Sequence, residues 1–269
     1  MTPSNPPTPR ERAINIPTAL LVAMASLVVI HAVRTWLDDA TDARLLIETA
    51  FVPAAWSVSW GVAAAQDVLE AVQREGGDPD LLALRLAWAR YLVAEGSARP
   101  WTWLSYALLH GSWTHLVLNG VWLAAFGSPV VRRAGALRSL LLAAAAAVGG
   151  ALAQWVTGPL GVQPMIGLSA AVSGLMAAAA TFVFARPAGF PGGYPPGRRQ
   201  ARPDWSFLGN RNVVVFLGIW LLANVLFGLV AVPLGIADGA GIAWQAHIGG
   251  LLVGLALFPL IDPGPHTAA

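Results

Sequence analysis

The sequence contains no cysteine and no lysine, and only 11% of its 269 residues are charged. The lack of cysteine excludes disulfides, thiolate metal centres and a cysteine nucleophile, while leaving the redox compartment open. The scarcity of charge excludes more. With 56% hydrophobic residues and a mean hydropathy of +0.61, the chain has too little polar surface to cover a soluble globule of its size and belongs in a bilayer. The sixteen basic residues, all arginine, outnumber fourteen acidic ones and leave a formal net charge of +2. They form no basic patch interleaved with aromatics, which argues against nucleic-acid binding and makes them markers of membrane orientation.

A helix needs about 20 mostly apolar residues to cross a bilayer. Six runs qualify, near 14–34, 103–126, 137–157, 165–185, 212–234 and 242–261. The expected fold is an all-α membrane protein, a bundle of six transmembrane helices over 14–261. The first run follows Arg10 and Arg12 but lacks a small-x-small cleavage site, so it reads as a retained span and not as a signal peptide. Six spans put both termini on one side. Arg10, Arg12, Arg132, Arg133, Arg138, Arg186, Arg198, Arg199, Arg202 and Arg211, ten of the sixteen, fall on that side, whereas the opposite short connections 158–164 and 235–241 carry none. The positive-inside rule makes the termini cytoplasmic.

The remaining segments are tails and connections. Residues 1–13, with four prolines, read as a disordered cytoplasmic tail, 186–211 as a Pro/Gly/Arg-rich cytoplasmic loop, and 262–269 as a short cytoplasmic tail containing His266. Residues 35–100 form a long outer loop. Its stretches Leu45 to Ala64 and Leu81 to Val93 mix apolar and charged residues and include Trp56, Trp60 and Trp88. That pattern fits interfacial helices and a small extramembrane helical subdomain equally well. No internal repeat is visible, which weighs against inverted-repeat transporters.

Polar groups inside hydrocarbon are costly and are seldom kept without a partner or a task. Spans two, four and six all run inward from the outer face. They carry His115 and Asn119 in the first two-thirds of span two, Ser169 early in span four, and His247 early in span six. Ser169 and His247 would lie about 5 to 10 Å below the surface, judged from the helical rise. A serine hydroxyl needs a base to take its proton, and neutral imidazole suits that role, so Ser169 is the expected nucleophile and His247 the expected base. No carboxylate lies in these three spans to orient the imidazole, which makes the pair a dyad. His115 and Asn119, four residues apart on one helix face, can both point at Ser169 as oxyanion donors, together with its own backbone N–H.

Hydrolysis needs water, so the site must open outward, with Ser112, Thr114, Gln163 and the glycines of 158–161 on that side. Ala246, Gly250 and Gly254 on span six, and Gly167, Ala170, Ala171 and Gly174 on span four, allow the close approach a Ser/His pair requires. Ser173 is expected to pack, His110 to hold the outer loop through hydrogen bonds, and His31, Gln154, Asn224 and Gln245 to join helices or face the interface. No metal and no cofactor is expected, since no His-Glu-x-x-His or ligand-spaced cluster occurs.

These motifs resemble the rhomboid intramembrane serine proteases. The resemblance runs from Trp101 to about Ile261 and has three parts in the family's order: His110 to Asn119 with its His-x-x-x-Asn step, Gly167-Leu-Ser169, and Ala246-His247-x-x-Gly250-x-x-x-Gly254. It implies a six-span bundle, Ser169 as nucleophile, His247 as base, oxyanion donors at His115 and Asn119, and structural support from His110, Gly167, Gly250 and Gly254. It also implies transmembrane protein substrates met in the lipid bilayer, with no nucleic acid. The chain departs from the family pattern at three places. Ala170 replaces the usual glycine after the nucleophile, Ser173 replaces an aromatic expected to pack on the base, and Trp101-Thr102 is all that matches a Trp-Arg pair. Those departures imply a crowded oxyanion hole, a looser base and a weaker loop anchor. They support the alternative of a catalytically inactive rhomboid-like protein that binds transmembrane helices. Abundant alanine and exclusive arginine point to a bacterial inner membrane, with the site opening to the periplasm.

Overall fold

The computed structural model describes residues 15–95, 98–184, 205–230 and 243–263. The expected N-terminal tail, most of the 186–211 loop, the 235–241 connection, His266 and residues 264–269 lie outside the described residues. Within them every regular element is helical. Four helical stretches are long and apolar enough to cross a membrane, namely Trp113–Ala134, Ala136–Thr157, Arg211–Leu229 and Trp244–Ile261, while Thr18–Arg34 and Ser169–Val183 are apolar but shorter.

Helix α1 (Thr18–Arg34) buries Leu20, Leu27, His31 and Arg34, which share one face at helical spacing. That face lies on the second apolar stretch, which runs through α6 (Thr102–Ser105), a 3-10 turn at Tyr106–Leu108, α7 (Trp113–Trp122), a π-helical turn at Leu123–Gly127 and α8 (Ser128–Ala134). Gly120 and Gly127 receive Met24 and Leu20 there; a Cβ on Gly127 would sit 3.1 Å from Leu20 Cδ1. The expected span 103–126 is shifted. Its membrane helix starts at Trp113 because Ser112 caps it, accepting from His115 N at 3.2 Å. It then continues to Ala134, so Arg132 and Arg133 end α8 and Arg138 begins α9 (Ala136–Thr157), with Gly135 at φ +85° making the turn. Ser112→Ala should destabilise the protein by about 1 kcal/mol through loss of the cap, measurable as a lowered unfolding midpoint in detergent.

The centre of the bundle is α10 (Ser169–Val183), buried at every residue from Ala170 to Thr181. It packs against both α9 and α12 (Trp244–Ile261), which also pack directly on each other, while α11 (Arg211–Val230) leans on α10 and α12. Small residues make these contacts. A Cβ on Gly250 would collide with the Ala170 carbonyl, one on Gly254 with the Gly174 carbonyl, and one on Gly150 would come within 2.9 Å of Ala246 O. The pairing of 170 with 250 and 174 with 254 makes α10 and α12 parallel, so their N-termini share one end of the bundle. At the other end Arg133 forks onto Asp262 at 2.8 and 2.6 Å and lies 4.7 Å over the Phe182 ring.

The long loop folds as α2 (Asp39–Thr49), α3 (Pro53–Ser59), α4 (Ala65–Glu75) and α5 (Pro79–Glu95). Asp38 caps α2, accepting from Thr41 N at 3.0 Å and Thr41 Oγ1 at 2.6 Å. These bonds hold its carboxyl below the ordinary aspartate range, so the cap persists at neutral pH and is lost as the pH falls through that lowered value. The Leu45 to Ala64 stretch is not one helix. It breaks before Pro53, where Phe51 runs extended and exchanges two backbone hydrogen bonds with Met165, at 3.1 and 2.8 Å. Helix α4 has no counterpart in the sequence reading, because Asp67, Glu70, Arg74 and Glu75 mask its buried stripe of Val68 and Val72. That stripe packs with Val52, Ala54, Ala89 and Leu92 into a separate apolar core, which also takes in Val162 from the segment leading to Ser169.

Candidate active site

Ser169 is the first residue of α10 and His247 the fourth of α12, so both lie closer to their helix starts than the expected five residues. The reason is the segment 158–168, which stays outside the helix, turning at 159–160, and enters it through Gly167 at φ +117°, a conformation reserved for glycine. Space demands glycine as well. A Cβ there would lie 2.7 Å from His115 Cε1 and Nε2 and 3.8 Å from Asn119 Nδ2. The His115 ring and the Asn119 amide therefore press on the chain two residues before Ser169. Asn119 spends one amide N–H on the His115 carbonyl at 3.1 Å, which leaves its other N–H. The first helical bond of α10 runs from Val172 N to Leu168 O at 3.0 Å. The amides before it are the unpaired donors of a helix N-terminus, where the dipole is positive.

The Ser169 hydroxyl lies 2.8 Å from His247 Nε2. On the far side of the ring, Nδ1 lies 2.6 Å from Asn224 Oδ1 on α11, and Asn224 Nδ2 donates to Trp220 O at 3.1 Å. All three side chains are half-buried. The expected role of Asn224 is to join helices or face the interface; in the structure it joins α11 to α12 through the expected base itself. A signal was present: Val213, Leu217, Trp220, Asn224 and Gly228 follow helical spacing along one stripe of α11, and Asn224 is its only amide.

Other expected roles change. His110 is 1% exposed, and neither of its ring nitrogens meets a partner among the described residues. The ring stands edge-on to His115 with centroids 5.1 Å apart. The loop is tied by the backbone carbonyl of His110, which accepts from Arg34 Nη1 at 2.9 Å. Arg34 also forks onto Asp42 of α2 at 2.7 and 2.9 Å. His31 meets Trp113 of α7 edge to face at 4.7 Å. Ser112 serves as a cap, and Thr114 and Gln163 are exposed.

The three departures have structural answers. Ala170 is 1% exposed, and its methyl faces Gly150 of α9, where a Cβ would come within 2.5 Å of it. The extra carbon is thus taken up between helices. Ser173 donates to Ser169 O at 2.7 Å, and the Trp220 ring lies tilted beside the His247 ring with centroids 6.4 Å apart. The outer loop is anchored without a Trp-Arg pair: Trp101 Nε1 donates to Glu48 O at 2.7 Å, Trp56 Nε1 donates to Thr102 Oγ1 at 3.2 Å, and Arg99 pairs with Glu48. It also grips the chain before Ser169, with Ser57 Oγ donating to Pro159 O and Trp88 Nε1 to Val162 O, each at 2.7 Å.

Known proteins resemble the chain over this region. It is 29% identical over 173 residues to Rhomboid protease GlpG of Pectobacterium atrosepticum, a match covering 64% of this chain and 52% of that protein. It is 28% identical over 157 residues to Rhomboid protease GlpG of Serratia proteamaculans, covering 58% and 46%. The protein of the same name from Yersinia pseudotuberculosis is 27% identical over 157 residues. The chain spans about half the length of the curated relatives it matches. A family model described as Rhomboid domain matches residues 97–262, more than half of the chain, a range that includes α9, α10, α11 and α12 with His115, Asn119, Ser169, Asn224 and His247. The chain is an integral membrane protein of the rhomboid family.

Proposed function

We propose that the protein is an intramembrane serine endopeptidase that cleaves peptide bonds in or near transmembrane segments of other proteins. The observation that carries this reading is the 2.8 Å contact between Ser169 Oγ and His247 Nε2, made at the N-terminal ends of two parallel apolar helices. In the first step Oγ attacks the scissile carbonyl carbon and its proton passes to Nε2. The resulting oxyanion is held by the first-turn amides of α10, by a His115 N–H and by the free Asn119 N–H. Collapse breaks the C–N bond, His247 gives its proton to the leaving amine, and an ester to Ser169 remains. Water then attacks the ester carbonyl as His247 takes its proton, and collapse breaks the C–O bond to Ser169 as His247 returns that proton to Oγ, releasing the acid and the free serine. The step needs no metal or cofactor.

The membrane arrangement we propose is a six-span domain over 14–261. Helix α10 has 15 residues, about 22 Å at the helical rise, against a hydrocarbon core of about 30 Å. Its start would then lie below the surface, with segment 158–168 dipping in above it and water reaching Ser169 from that end. Arg132, Arg133 and Arg138 gather at the opposite end, so the positive-inside rule makes that end cytoplasmic and opens the site outward, to the periplasm in a bacterial inner membrane. Substrates would be membrane proteins whose helix unwinds easily near the site. The silent helix-binding alternative drew on Ala170 and Ser173; the methyl packed on Gly150 and the Trp220 ring beside His247 favour the protease.

A fluorophosphonate probe tests this on the detergent-purified protein. Wild type and Ser173→Ala should label, and Ser169→Ala and His247→Ala should not. Folded wild-type protein that stays unlabelled would leave the helix-binding alternative standing.

A further inference from the structure

We infer that Asn224 is a positioning residue for His247, so that the site works as a Ser–His pair whose imidazole is oriented by a third residue and not as a bare pair; the inference rests on Ser169 being the nucleophile. Hydrogen-bond direction carries the argument. Trp220 O can only accept, so the Asn224 atom 3.1 Å from it must be the amide nitrogen. That fixes Oδ1, a pure acceptor, 2.6 Å from His247 Nδ1. Nδ1 must therefore carry the ring proton. In neutral imidazole the other nitrogen is then bare, and Nε2 faces the Ser169 hydroxyl at 2.8 Å as the acceptor a general base has to be.

The placement of Asn224 is built into the helix contact. One turn further along α11, Gly228 receives the Trp244 ring, and a Cβ at 228 would collide with it. The two contacts, 224 with 247 and 228 with 244, set α11 antiparallel to α12 in one register. One turn earlier, Trp220 supplies both the carbonyl that orients the amide and the ring beside the imidazole. A base held by a third group is the general form of activated-nucleophile sites, and asparagine fills that position in papain-like cysteine proteases. Without the amide, the ring can rotate or take the Nε2-protonated tautomer, in which it cannot accept from serine.

Cleavage of a single-span substrate by the full-length protein in detergent tests the assignment. Asn224→Leu, similar in volume but without an acceptor, should lower kcat about 10- to 100-fold with KM unchanged. Asn224→Asp, which restores the acceptor, should recover most of that loss; a merely structural role for the amide would not give this split and rescue. In wild-type protein labelled with ¹⁵N-histidine, the His247 signals, assigned by their absence in His247→Ala, should show a protonated Nδ1 and a bare Nε2, a readout that does not depend on any Asn224 variant folding. The opposite tautomer, or an Asn224→Leu protein with unchanged kcat beside an inactive Ser169→Ala, overturns the role of Asn224 alone. Cleavage by Ser169→Ala overturns the nucleophile assignment on which it rests.

Discussion

Alanine at Ser169, alanine at His247 and alanine at both are expected to give three equally inactive proteins. Each single change should lower kcat by about 10⁴- to 10⁶-fold, and the double change should add almost nothing. The reason is that the two groups share one proton. Without the imidazole, the Ser169 hydroxyl is a weak nucleophile, and without the hydroxyl the imidazole has nothing to activate. The proton passes across the 2.8 Å contact between them, so either removal breaks the same step. Rates for cleavage of a single-span substrate in vesicles would check this. Losses that multiplied in the double variant would mean that the two residues act in separate steps, and the assignment of His247 as the base for Ser169 would have to be abandoned.

Valine at Gly250 is expected to leave little folded protein. A Cβ at that position collides with the carbonyl of Ala170 and comes within 3.0 Å of its Cα. Backbone atoms in the middle of a buried helix cannot swing aside as a long side chain does. Overpacking of a well-filled core commonly costs about 1 to 3 kcal/mol, and here α10 and α12 must part along the seam that also contains Gly174 and Gly254, so the loss should reach or exceed the top of that range. Activity should disappear with the fold, because the same seam sets the distance from Ser169 to His247. Gly218 on α11 is the control. Nothing lies within 4 Å of a Cβ built there, and Gly218→Ala should be neutral or slightly stabilising, since alanine is the better helix former. Thermal unfolding followed by tryptophan fluorescence would separate the two; a Gly250→Val protein melting with wild type would show that α10 and α12 are not in this contact.

That the chain is helical and membrane-embedded is legible in its residues alone, because its long apolar runs and sparse charge admit no other solvent. So are the three motifs that hold Ser169, His247, His115 and Asn119, because close helix packing needs small residues at four-residue spacing around a hydroxyl and an imidazole. Where those helices begin is visible in the folded chain and not in the sequence, since Ser112 as a cap and Gly167 as a left-handed hinge act through hydrogen bonds and φ angles that hydropathy does not register. The folded chain alone shows that the Ala170 methyl is absorbed by Gly150, that the long outer region grips the chain ahead of Ser169, and that α4 exists, its buried valines being diluted by charge. Asn224 is the clearest case. On one helix it is a lone amide in an apolar run with many bland uses, and its meaning depends on the register of α11 against α12, which is set by contacts between residues far apart in the chain.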